Sequence, residues 1–210
     1  MECRRTPCAT PCPALMLDRD GVVIEDRGYL ADPADAVLVS GAATLVARAN
    51  KRDVPVCIVT NPSGIDRGLY GWDAFAAVND RIDALLAAAG ARIDAIAACP
   101  FHPDFTPGYD AAHARWRKPG PAMIETLTEV MNIDRAASWL VGDRPGDIEA
   151  ACAAGLAGAV HVLTSHGTTD RKTALTAARR NFAALDADSV ATAGRVLHDR
   201  GLFGAPGRAR

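Results

Sequence analysis

Aromatic side chains are scarce in this chain: three Trp, three Tyr and five Phe among 210 residues. Alanine is abundant instead, 42 of the 210, so the interior must be filled by small aliphatic groups and the packing is expected to be helix-rich and thin. Neither sign of charge dominates. Lys plus Arg number 23 against 25 Asp plus Glu, a net of −2, which supplies no field to gather nucleic acid or an anionic membrane. A long apolar run is also missing. The longest charge-free stretch, 150–169, is interrupted by Gly155, Gly158, His161, His166 and Gly167, and the run 14–17 is too short for a secretion signal although Arg4 and Arg5 precede it. A GxxxxGK[ST] phosphate loop, a GxSxG serine elbow, an HExxH zinc helix and internal repeats are absent. Cysteine is present but sparse in pattern: Cys57, Cys99 and Cys152 lie far apart, while Cys3, Cys8 and Cys12 crowd the start without a nearby fourth metal ligand. Reduced thiols in a cytoplasmic protein, with no membrane or nucleic-acid partner, are the expectation.

The length suits one α/β domain, placed at 14–203 between loose tails at 1–13 and 204–210. Short apolar runs at 15–17, 54–59, 93–98, 139–141 and 159–163 each pass into polar residues. Runs that do not alternate suit strands covered on both faces, hence a parallel sheet. Between them Phe75, Val78, Ile82, Leu85 and Leu86 share one helix face, as do Met123, Ile124, Leu127, Val130 and Met131, and helices at 42–52 and 147–154 complete the alternation. The architecture expected is a doubly wound, Rossmann-like parallel sheet, whose ligands gather beyond the carboxyl ends of the strands.

Asp18, Thr60, Asn61 and Asp143 all fall at such ends. In an extended Asp18-Arg19-Asp20-Gly21, side chains two apart project to one side, so both carboxylates can face one reacting atom. An EF-hand is excluded, because Val22 and Val23 stand where a ligand and the loop glycine would be. Taken singly, these are an acidic turn, a loop cap at Thr60, a solvated Lys118 and an N-cap pair at Asp143 and Asp147. In this order, at strand ends and loop exits, they resemble the four motifs of the haloacid dehalogenase-like (HAD) phosphohydrolases. Leu17-Asp-Arg-Asp-Gly21, Arg27-Gly-Tyr29, Thr60-Asn-Pro-Ser-Gly-Ile65 with Arg67-Gly68, Cys99-Pro100, Arg117-Lys-Pro119 and Val141-Gly-Asp143 are similar to the heptose bisphosphate and histidinol phosphatase branch.

The resemblance implies the following roles. Asp18 attacks phosphorus to give an aspartyl-phosphate. Asp20, held protonated at the outset, delivers a proton to the leaving alkoxide and later takes one from water. Mg²⁺ suits an all-oxygen site made of Asp18, the Asp20 carbonyl and Asp143, with Asp147 supporting them from behind. Lys118 balances charge on Asp18 and the phosphoryl group, and Thr60 and the Asn61 backbone hydrogen-bond it. Arg19, Asn61, Ser63, Arg67 and Arg117 are the candidate substrate contacts.

The branch usually carries a zinc loop, Cys-x-His then Cys-x-Cys. Here Cys99 remains, but Phe101, Ala114 and Trp116 occupy the other three positions, so structural zinc is not expected; a rearranged site from Cys99, His102 and His113 would lack a fourth donor. Phe101 and Trp116 are expected to pack together and pin the loop instead. Pro62 replaces the branch's usual glutamine. The spacings from Asp18 to Thr60 and from Thr60 to Lys118 leave no room for a separate cap domain. The function expected is a capless, Mg²⁺-dependent phosphatase, monomer or weak homodimer, acting on a small phosphorylated substrate most like heptose 1,7-bisphosphate. Histidinol phosphate or another sugar phosphate is the alternative substrate, and a non-catalytic phospholigand-binding domain the alternative class. His161 is expected in the core and His166 near the substrate; Arg171, Lys172, Arg179 and Arg180 are expected on one solvated helix face.

Overall fold

A computed structural model describes residues 1–165 and 167–204; the reading of His166 and the tail beyond residue 204 lie outside them. The apolar runs form the middle of a seven-stranded sheet: β1 (Glu2–Cys3), β2 (Leu15–Leu17), β3 (Val56–Thr60), β4 (Ala95–Ala98), β5 (Trp139–Gly142), β6 (Gly158–Val162) and β7 (Ala183–Ala187), in the order β1-β4-β3-β2-β5-β6-β7. Every pairing is parallel except that of β1 with β4. Residues of β2 face both neighbours at once, Leu17 opposite Ile58 of β3 and Val141 of β5. The chain winds from β2 toward β4, then returns to β5 on the other side. That reversal opens a crevice at the carboxyl end of β2.

The long helices are α1 (Ala42–Asn50), α2 (Trp72–Ala88), α4 (Ala122–Met131), α5 (Pro145–Ala153), α6 (Gly167–Leu175) and α7 (Val190–Asp199), with a short α3 (Ala111–Trp116). One core lies under Leu45, Val78, Ile82, Leu86 and Leu197 of α1, α2 and α7. The other lies under Met123, Ile124, Leu127, Met131 and Ile148 of α4 and α5. Val130, expected on that face, points outward and is exposed. Gly155, at φ +77°, follows α5 and turns the chain in a conformation that favours glycine.

The N-terminal residues differ from the expected loose tail. β1 adds to the edge of β4, Arg4 donates its backbone N–H to Asp94 (2.8 Å) and pairs with Asp83 of α2. Cys8 and Cys12 donate backbone N–H groups to Met131 and Asn132 at the end of α4. Anchored on the same helix end, the two form a disulfide, where reduced thiols were expected; Cys3, Cys57, Cys99 and Cys152 are free thiols. β7 has no apolar run to announce it, because as an edge strand most of its residues are only half-buried. The expected basic helix face is also broken: α6 ends at Leu175, and Arg171 pairs with Asp186 of β7 while Arg179 closes a turn with Phe182. No helix among the described residues is long and apolar enough to cross a membrane.

Candidate active site

Asp18 is the residue after β2, and its backbone N–H donates to Val141 of β5 (2.9 Å), so the parallel ladder itself anchors it in the crevice, where it lines the cleft. Lys118 comes from the loop ahead of α4. Its Nζ lies 2.7 Å from Asp18 Oδ1 and 2.6 Å from Asp147 Oδ1, and donates to the carbonyl of Val59 (2.7 Å). The Asn61 side chain clamps the lysine main chain from both sides, donating to its carbonyl at 3.1 Å and accepting from its N–H at 3.2 Å. Asn61 was expected to act through its backbone; the structure adds the side chain as a splint for Lys118, a contact between residues 57 apart that local sequence could not reveal.

Asp143, fully buried, and Asp147, at the start of α5, complete the cluster. Asp147 accepts from the backbone N–H of Arg144 (3.0 Å), a capping contact that fixes its rotamer. One oxygen each of Asp18, Asp143 and Asp147 can be chosen so that all three lie within 4.8 Å of one another. Asp147, expected behind the others, therefore stands among them. Two close approaches demand glycine here: a Cβ on Gly21 would sit 2.4 Å from Asp143 Oδ2, and one on Gly142 would sit 2.3 Å from the Asp147 Cβ.

Electrostatics follow from the burial. Loss of water pushes the Asp18 carboxyl up to about 7, with Asp147 and Asp20 adding to the rise and Lys118 opposing it. Burial likewise pushes Asp143 up to about 8, helped by Asp18 and Asp147. For Lys118 burial opposes the charge, but Asp147 and Asp18 outweigh it and hold the ammonium above its ordinary range.

Both oxygens of Asp143 are buried without a hydrogen-bond partner. A carboxylate left so costs several kcal/mol unless something bonds to it. Three carboxylates and no soft donor suit a hard divalent cation, so the residues present fit Mg²⁺. The rearranged zinc site does not assemble: His102 faces Arg67 (2.9 Å) while His113 faces Asp110 (2.6 Å), and among the described residues the Asp18, Asp143 and Asp147 group is the one cluster suited to a metal.

A cleft of about 750 Å³ opens above Asp18, lined among others by Asp20, Thr60, Asn61, Ser63, Arg67, Arg117 and Lys118. Arg19 does not reach it. Its side chain is buried over the Phe75 ring (4.8 Å), and its guanidinium donates to both oxygens of Asp20 at 3.0–3.2 Å. Arg19 thus orients Asp20 rather than touching a ligand, because its buried guanidinium is committed to the Asp20 carboxylate and the Phe75 ring. Tyr29, Tyr70, His102, Arg144, Asp26 and Asp170 also line the cleft. Of these, Tyr29 belongs to the Arg27-Gly-Tyr29 motif and His102 enters the sequence reading only as a metal ligand; that reading assigns neither to the cleft.

The sheet order, the switch-point crevice and its acid-lysine cluster define the class, a doubly wound α/β protein with a buried carboxylate cluster that fits a cation. The HAD-hydrolase-like family model matches residues 115–193. The chain is 41% identical over 145 residues to a D-glycero-beta-D-manno-heptose-1,7-bisphosphate 7-phosphatase of Mesorhizobium japonicum, covering 69% of this chain and 67% of that protein. It is 36% identical to the D-glycero-alpha-D-manno-heptose-1,7-bisphosphate 7-phosphatase of Burkholderia mallei, covering 80% and 88%. The crystal structure of D,D-heptose 1,7-bisphosphate phosphatase from B. bronchiseptica complexed with magnesium and phosphate superimposes with a TM-score of 0.75 at 31% identity, covering 90% of this chain and 99% of that one. The chain belongs to the HAD-like phosphatases, within the branch that holds the heptose bisphosphate phosphatases, and is a phosphoric monoester hydrolase.

Proposed function

We propose that the chain removes the 7-phosphate of a D-glycero-manno-heptose 1,7-bisphosphate, with Asp18 as nucleophile. The observation that carries this reading is the Asp18–Lys118 contact at 2.7 Å in a cleft that Arg67 and Arg117 also line. Among the described residues neither arginine pairs with a carboxylate. A second phosphate finds cations there, whereas histidinol phosphate would bring its ammonium against them; the bisphosphate is favoured on charge.

Asp18 attacks phosphorus in line, and the leaving alkoxide takes a proton from Asp20. Water then cleaves the aspartyl-phosphate while Asp20, held by Arg19, accepts its proton. Thr60 and Lys118 donate to the phosphoryl oxygens. Asp18, Asp143 and the Asp20 carbonyl would hold Mg²⁺, with Asp147 in the same carboxylate cluster; the ion would offset the negative charge of the phosphoryl group. Ser63, Arg67 and Arg117 contact the remainder of the substrate. In this reading the loop before α3 needs no zinc.

Asp18→Asn keeps the size of the side chain and removes the nucleophilic oxygen. Release of phosphate from both the bisphosphate and p-nitrophenyl phosphate is expected to fall by on the order of a thousandfold or more. An Asn variant that retains turnover ends the proposal. Retained binding with no turnover by the unaltered protein points to the phospholigand-binding alternative.

A further inference from the structure

The segment between β4 and α3 reaches both cleft arginines. Arg117 donates to the Phe101 carbonyl (2.8 Å), and Arg67 donates a terminal N–H to Nε2 of His102 (2.9 Å). A guanidinium can only donate. On this contact Nε2 is the bare, accepting nitrogen of a neutral imidazole and Nδ1 carries the proton, facing the Asp104 carboxylate at 3.8 Å; the Asp104 backbone N–H also approaches Nδ1, at 3.2 Å, a longer contact than the Arg67 one that sets the tautomer. The ring is fixed in turn: the His102 backbone N–H donates to Thr106 Oγ1 (2.7 Å), that hydroxyl donates to Asp66, and Phe105 packs against the ring with centroids 5.0 Å apart. Phe105 and Tyr29 offer their faces to the Arg67 guanidinium at 4.3 and 5.5 Å.

This arrangement has an electrostatic consequence. A carboxylate at position 102 would hold Arg67 as firmly but would cancel its charge. Asp66, the acid next to Arg67 in sequence, is engaged by Thr106 instead. Arg67 Nε is buried with no partner. The guanidinium is therefore held still by a neutral acceptor and two aromatic faces while keeping its full charge and spare donors for an anion. We infer that His102 is the positioning residue for Arg67 and, through it, sets the preference of the cleft for a substrate carrying a second phosphate. This rests on the function proposed above.

Protonation of His102 would set an N–H against the N–H of Arg67 and push the two apart. The charged groups near the ring are Arg117 and Arg67, which oppose its protonation, and Asp104 and Asp66, which favour it. Burial first, and then the two arginines, hold the ring below the ordinary histidine range, so the accepting form prevails at neutral pH.

The test compares kcat/KM for heptose 1,7-bisphosphate with that for heptose 7-phosphate, in the full chain with Mg²⁺, for the unaltered protein, His102→Gln and His102→Leu. Leu removes the acceptor, and the preference for the bisphosphate is expected to fall about tenfold, the size of one charge-assisted hydrogen bond, mainly through KM. Gln supplies a neutral carbonyl acceptor and is expected to restore most of the preference. Below pH 6.5 the preference of the unaltered protein is expected to decline more steeply than that of the Gln variant, which has no imidazole to protonate. A preference that survives His102→Leu, equal losses on both substrates, or superimposable pH profiles for the unaltered and Gln proteins overturns the inference and leaves the proposed substrate standing. Absence of any bisphosphate preference in the unaltered protein overturns the substrate assignment, and this inference with it.

Discussion

Three carboxylates and one ammonium meet at the end of β2 with almost no access to water. With all four ionised the cluster carries −3 from Asp18, Asp143 and Asp147 and +1 from Lys118, a sum of −2 that one divalent cation cancels. The raised carboxyls of Asp18 and Asp143 express the same imbalance in protons. In the unfolded chain they release protons near 3.8, but in the cation-free fold near 7 and 8. The fold therefore binds more protons than the unfolded chain between these values, and its stability falls as pH rises from about 4 to about 8. Mg²⁺ needs both groups deprotonated and offsets the repulsion it finds there. The rise in Tm on adding saturating Mg²⁺ is expected to be larger at pH 8 than at pH 6 in scanning calorimetry; a gain independent of pH contradicts this account. At this scale the sequence revealed the charged residues well, since Asp18, Thr60, Lys118 and Asp143 stand at recognisable strand ends and loop exits. It hid Arg19 and the Asn61 side chain, because which way a side chain faces and what it meets 57 residues away are not local properties.

The loop ahead of α3 is pinned by side-chain contacts. Phe101 was expected to pack on Trp116; it meets His113 instead, edge to face at 4.5 Å, while Trp116 is exposed. The cause lies in α3. Asp110 accepts from the backbone of Ala112 and His113 as its N-cap, and His113 reaches back to Asp110, which turns the imidazole toward Phe101 and Tyr109. His113→Ala removes this ring and the capping contact together, so a loss of about 1–2 kcal/mol in urea unfolding is expected. Elemental analysis of the unaltered protein is expected to find no tightly held zinc; one zinc per chain would show that the loop is held by metal after all. Helix and strand existence was legible wherever an apolar run or a 3.6-residue stripe was long enough. β1 and β7 were not, since each draws its order from the neighbour it pairs with.

Across the whole molecule, the sheet has two edges and treats them differently. β4 is capped by β1, and the stretch behind β1 is tied to α4 through Cys8, Cys12 and Asn132. Deletion of residues 1–13 bares the hydrogen-bonding edge of β4 and removes the Arg4 contacts with Asp83 and Asp94. The truncated protein is expected to melt lower, by about 2–4 °C for each kcal/mol lost, and to self-associate in light scattering. Unchanged melting and a monodisperse truncated protein would mean that this segment only lies on the surface. The crevice is far less dependent on either edge, because β2, at the centre of the sheet, is held by β3 and β5.

The sequence by itself determined the layered α/β class, the acids at the strand ends and the kind of reaction they serve, because apolar runs, turn residues and short motifs act over a few neighbouring positions. Only the tertiary structure decided that Asp147 joins Asp18 and Asp143, that Asn61 braces Lys118, that Arg19 turns inward and that His102 holds Arg67. Those outcomes depend on distances between residues remote in the chain, and burial, which sets the strength of every charge among them, exists only once the two cores have closed on the sheet.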